Sequence, residues 1–348
     1  MATPTPSLSP PPLNLWIILS ESKRIINAHS RHFLALSVLF LLPLCFSITV
    51  YPSVFLLITD QSSASHNTVS LLRGGLHNNS DDDIDTKTTV LLVIGYIVVI
   101  TVFNLLAIGS IAYSVFQGFY GRPVKLNSAV KSSFASFLPL LATLTSSNLI
   151  VLGGFLIPGI LAFVLVKLIE TIPGVEFDYA SSYFQGFVTL VTIISIAIAV
   201  KLYVNWILAW VVVVVESAWG ITPLKRSKRL VKGMKCASLS IIFFFASTES
   251  ILVWISTLAA YAQLNDNENG GKSWTDAFFV VQIVITSAFL TLLTLYNLAA
   301  TTVMYMYCKA VHGELVWEIA EEFAREYVSL PFDDGKVPHL VSVAYNNF

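Results

Sequence analysis

Charge is scarce in this chain. Of 348 residues, 12% are Asp, Glu, Lys or Arg, against roughly 25% in a typical soluble protein. That is too little to coat a globule in which 55% of residues are hydrophobic. The net charge of −1 offers no basic excess to attract phosphates, so nucleic acid is not an expected partner. Cysteine is scarcer still. Cys45, Cys236 and Cys308 lie in or beside apolar runs, which excludes a disulfide framework. Paired Cys or His at metal-ligand spacing is missing, and six histidines are scattered over loops and ends. No metal and no cofactor are therefore expected. HExxH, GxSxG, Walker and Rossmann patterns are also missing, so the sequence reads as non-enzymatic. What is plentiful is apolar length. A mean hydropathy of +0.74 calls for lipid as the solvent.

Six stretches reach the roughly 20 residues a helix needs to cross hydrocarbon: 33–58, 88–117, 136–167, 185–215, 238–263 and 277–307. Pro43 and Pro158 lie inside spans and are expected to kink them. Residues 1–12 are a Pro/Ser/Thr-rich leader that will not pack, with no cleavable signal peptide after it. Twelve Lys and Arg fall in segments 1–32, 118–135 and 216–237, against four in the intervening loops. The positive-inside rule places the richer side, and with it both termini, in the cytosol. The expected setting is the endoplasmic reticulum, another endomembrane or the plasma membrane. On the other side Asn78 opens a glycosylation sequon. The neighbouring Asp81, Asp82, Asp83 and Asp85 read as a solvated acidic loop.

Polar punctuation recurs along the chain. Asn104, Asn205 and Asn297 each precede a glycine (Gly121, Gly220, Gly313) by 17, 15 and 16 residues. Ser22-Lys23-Arg24-Ile25-Ile26 echoes Ser227-Lys228-Arg229-Leu230-Val231, with Ser128-Ala129-Val130-Lys131 between them. The expected fold is an all-α polytopic membrane protein of three pseudo-repeated units. Each unit is a short basic amphipathic helix in the interface followed by a transmembrane hairpin. The units cover 13–117, 118–215 and 216–307, with a cytosolic tail at 308–348.

Residues 216–233 read Glu216-x3-Gly220-x3-Leu224-x2-Ser227-x2-Leu230-x2-Gly233. This resembles the signature of a family of plant multi-pass membrane proteins of unassigned function. It is distantly similar to the membrane domain of bacterial glycerophosphodiester phosphodiesterases. No segment is long enough for the catalytic barrel of those enzymes. The resemblance therefore implies a membrane-domain architecture and no activity. Gly220, Ser227 and Gly233 are expected to let the helix lie close to the spans, with Leu224 and Leu230 facing acyl chains.

An ionised side chain at mid-bilayer costs at least about 2.5–3.5 kcal/mol, so Lys201 and Glu249 require explanation. Counting from the ends of their spans, their depths differ by about 5 Å. An ion pair between them is one expectation. The other is that Lys201 snorkels to the interface and Glu249 is protonated, each alone. Asn104, Asn148, Asn205 and Asn297 are expected to bond across helices at a common level. With no broad polar face on any span, a closed bundle is favoured over a cavity.

On the cytosolic side, Lys225, Arg226, Lys228, Arg229, Lys232 and Lys235 are candidates for contact with anionic lipid. Residues 314–328 pattern as an acidic amphipathic helix, expected to pack on that basic segment or to bind a cytosolic protein. The functional expectation is a non-enzymatic protein that organises lipids or partner proteins. The alternative is a transporter of a lipid or small polar solute that uses the intramembrane polar residues.

Overall fold

The computed structural model describes residues 14–52, 79–171, 182–266 and 277–315. Every element among them is a helix. In chain order they are α1 (Leu15–Ala28), α2 (Ser30–Pro52), α3 (Asn79–Phe119), α4 (Leu126–Glu170) and α5 (Ser182–Trp206). There follow α6 (Ala209–Glu216), α7 (Thr222–Leu230), α8 (Lys235–Asp266) and α9 (Ala277–Val311). Six stretches are long and apolar enough to cross a membrane: α2, Val90–Phe119, Leu126–Leu168, Phe184–Glu216, Lys235–Ala259 and Val280–Val311. The protein is an all-α polytopic integral membrane protein. Met1–Tyr305 forms one compact unit and Met306–Phe348 a second. Asn78 and all but the first residues of the expected 314–328 helix lie outside the described residues.

Local chemistry accounts for several departures from the expected layout. In α2, residues Ser37–Leu41 form a π-helical turn just before Pro43. The proline has no N–H to offer the preceding turn and its ring crowds it, so the helix widens there and carries on. The acidic run Asp81–Asp85 belongs to the opening turns of α3 and not to a loop. Negative charge is favourable at a helix N-terminus. In α4, the segment carrying Ser128–Lys131 is continuous with the span and runs through Pro139 and Pro158. The separate interfacial helix expected at the start of segment 118–215 is thus not formed.

The helix α7 departs further. Pro223, Leu224, Ser227 and Leu230 are all buried. Leu224 and Leu230 therefore face the protein and not acyl chains. A nine-residue helix with so little apolar surface gains more by folding that single stripe onto α4, α5 and α6 than by floating it in lipid. The turn that returns the chain from α6 to α7 uses two left-handed residues, Ser217 (φ 52°) and Gly220 (φ 71°). The Gly220 amide donates to Thr143 Oγ1 at 3.2 Å, which ties the turn to α4. Gly121 closes α3 in the same left-handed region, at φ 68°, with Arg122 N–H bonded to the Gln117 carbonyl. That is a standard glycine C-cap.

Neighbouring spans pack on one another in chain order, and α6 in addition crosses onto α3 and α4. α3 packs on α2 and α4, α4 on α5, and α5 on α8. α8 meets α9 through Ser238 and Met304. α9 in turn meets α2, where Val50 packs on Ile283 and Cys45 approaches Thr294. The tightest approach is between α3 and α4. A Cβ on Gly109 would lie 2.9 Å from Ser133 Cα, and Ser133 Oγ donates to the Leu106 carbonyl. The core formed by Leu105, Ile108, Ala112, Leu140, Val213 and Val214 lies toward the glycine-terminated end of the bundle. At the far end, α4 and α5 turn mostly exposed apolar side chains outward.

Candidate functional site

A cavity of about 330 Å³ lies inside the bundle. Its walls come from α3, α4, α5, α6, α8 and α9, including Asn104, Leu144, Tyr203, Trp210, Glu249 and Asn297. Chain direction orders these walls. Asn104, Glu249 and Asn297 each stand 14 or 15 residues from the glycine-end terminus of their helix, about 21–23 Å at 1.5 Å per residue. They form a polar rim at one depth. Toward the glycine end the lining is mostly apolar, with Leu105, Ile108, Ala112, Val211 and Ile242, and the hydroxyls of Thr301 and Thr302 there are turned to carbonyls of their own helix. The cavity is amphipathic along its length. Asn104 and Tyr203 are exposed, which leaves it open at the rim.

At the rim, Asn297 Nδ2 donates to Glu249 Oε1 at 3.2 Å. Glu249 makes no ion pair with Lys201, whose side chain is exposed. The expected Lys201–Glu249 pair is thus replaced by an amide–carboxylate bond. Their depths agree, but their directions do not. Tyr203 of α5 faces the cavity, and two residues earlier a helix points about 200° away. Lys201 therefore leaves the bundle on its outer side.

The four asparagines part company as well. Asn297 bonds Glu249, and Asn104 lines the cavity without a hydrogen-bond partner among the described residues. Asn148 is exposed on α4. Asn205 is buried, and it is its backbone carbonyl, not its amide, that is engaged. The closed bundle favoured on composition is replaced by an open cavity. Asn104 comes from α3, Tyr203 from α5, Trp210 from α6, Glu249 from α8 and Asn297, Thr301 and Thr302 from α9, so the polar groups are shared among several spans.

Span four is broken at Ile207–Leu208, between α5 and α6. The buried Ser227 of α7 fills the gap. Its hydroxyl donates to the Asn205 carbonyl at 2.8 Å and accepts the Leu208 N–H at 3.2 Å. A side chain inserted into the helical ladder is a recognised cause of such breaks. Ile207, in the break, and Trp210, just after it, both line the cavity. The signal in the sequence was Ser227 itself, which there read only as a small residue for close packing.

A second polar cluster fastens α7. Arg226 Nε contacts both carboxylate oxygens of Glu216 at 3.1 and 3.2 Å, and the hydroxyl of the buried Tyr305 donates to Oε1 at 2.9 Å. Arg226 is thus a structural cation and not a free lipid contact. Lys225, Lys228, Arg229, Lys232 and Lys235 are exposed. Among the described residues no group of His, Cys, Asp and Glu is arranged to hold a metal.

Residues 12–336 match the domain of unknown function DUF8558. The chain belongs to that family. Neither a curated protein nor a solved structure matches it. The DUF8558 match spans all the helices described above, including the cavity, the broken fourth span and the Glu216–Gly233 segment.

Proposed function

We propose that this DUF8558 protein is a non-enzymatic membrane protein that takes up a small amphipathic molecule in its intramembrane cavity and moves it within or across the bilayer. The observation that carries this reading is the cavity's gradient, with Asn104, Glu249 and Asn297 at an open rim and mostly apolar walls beyond. Small-molecule sites are concave and mostly apolar, with a few convergent polar groups. An ionisable residue inside the membrane marks a ligand or ion path by default. Among the described lining residues no nucleophile is paired with a base, so binding and passage fit the cavity better than chemistry. The test is native mass spectrometry of the protein extracted in mild detergent. The wild type should retain one bound small molecule, and Ala246→Trp, which fills the cavity, should lose it. Bare protein in both cases contradicts the reading.

A second role, lipid organisation, is favoured by the five exposed cations at Lys225, Lys228, Arg229, Lys232 and Lys235. With this end in the cytosol, as the positive-inside rule places it, they meet anionic headgroups. Both termini then lie on that side of an endomembrane or the plasma membrane. A cytosolic partner bound through 314–328 and glycosylation at Asn78 belong to the same proposal. So do the threefold repeat, a plant origin and the kinship with the phosphodiesterase membrane domain, the last two resting on the pattern at 216–233.

A further inference from the structure

The geometry points to an organic cation, a single-chain amphiphile with an ammonium head, as the occupant held beside Glu249. This deepens the proposed function and rests on the cavity being a ligand site. Among the described residues Glu249 is the only acid in the lining, and no Lys or Arg lines it. Among the described residues no cation stands within ion-pair distance of its carboxylate. Its hydrogen-bond partner, Asn297, is neutral and answers a single oxygen. Carboxylates removed from water are paired or neutralised. An ammonium head supplies the missing charge, an anionic head adds a second like charge, and an uncharged head leaves the deficit as it was.

The neighbouring lining favours the same class. Tyr203, Trp210 and Phe245 all face the cavity, and aromatic faces attract ammonium groups, alkylated ones included. From Asn104 to Ala112 the wall of α3 spans eight residues, about 12 Å of helix. That length suits one medium alkyl chain lying along Ile108 and Ile242, with its head at the rim. A volume of about 330 Å³ suits one such chain and not the paired long chains of a phospholipid.

The test is equilibrium binding of tritiated octyltrimethylammonium to the full chain in a neutral maltoside detergent, with octanol and octanoate as competitors. The expected result is saturable binding of one probe per chain, resisted by both competitors and weakened about tenfold or more in Glu249→Gln. Where that variant does not fold, the wild-type comparison decides alone, because the three compounds share a chain and differ in the head. Displacement by octanol or octanoate as effective as by the unlabelled probe overturns the cation assignment and leaves the ligand site standing. Absence of saturable binding also overturns it. If a small molecule nonetheless travels with the purified protein, only the class falls; if none does, the ligand-site reading falls with it.

Discussion

The hydroxyl of Ser227 donates to the carbonyl of Asn205 across the break in the fourth span. With the Leu208 amide as its donor, the same oxygen is saturated from both sides. Ser227→Ala leaves one buried carbonyl and one buried amide unpaired, at a cost of about 1–3 kcal/mol. Thermal unfolding in detergent should show a clear fall in melting temperature. Ser240→Ala, which removes an exposed hydroxyl bonded only within α8, should leave it unchanged.

The Glu216–Arg226 contact predicts a different pattern. Arg226→Lys keeps the charge but loses the planar fork that meets both carboxylate oxygens, so it should not restore wild-type stability. Tyr305→Phe should cost about 1 kcal/mol alone. It should also cost less in an Arg226→Ala background, because both partners act on Glu216. A double-mutant cycle on melting curves measures that coupling. Strict additivity would show that the three groups do not act as a unit.

Close packing of α3 on α4 sets the third expectation. Gly109→Ala places a methyl 2.9 Å from the Ser133 Cα, and backbone cannot swing aside. Overpacking of this kind costs about 1–3 kcal/mol. Gly95→Ala, on the same helix with open space around it, should be neutral or slightly stabilising.

The basic surface of α7 separates lipid contact from folding. Replacing Lys225, Lys228, Arg229 and Lys232 with Gln should reduce the number of phosphatidylserine molecules retained in native mass spectra, at about 1 kcal/mol per charge removed. The melting temperature should be unaffected. Arg226→Gln should do the reverse, since that side chain is engaged with Glu216. If Arg226→Gln sheds lipid as readily as the exposed cations do, the assignment of roles within α7 is wrong.

These residues also show what was legible in the sequence. The six spans were plain because apolar length survives any detail of packing, although α3 and α4 begin nine and ten residues before the expected spans. Gly121 and Gly220 marked chain turns correctly, since a left-handed residue at a helix end favours glycine. Depth was legible for Glu249, Asn297 and Asn104, because it follows from counting residues. Direction around the helix was not: uniformly apolar spans give no phase, so the sequence leaves Lys201 free either to pair with Glu249 or to leave the bundle alone. The break at Ile207–Leu208 was hidden for a different reason. No glycine or proline lies within Val204–Ala209, and its cause is a hydroxyl about twenty residues away. The cavity was concealed by distribution, its polar side chains being shared among α3, α5, α6, α8 and α9.

The most direct measurement is an electron cryomicroscopy map of the full chain in lipid nanodiscs, at a resolution that shows side chains. It should reveal Glu249 beside Asn297 at the rim of a cavity within the bundle, non-protein density between Glu249 and Phe245, and Lys201 outside the bundle. A sealed interior, with Lys201 within ion-pair distance of Glu249, would contradict the account.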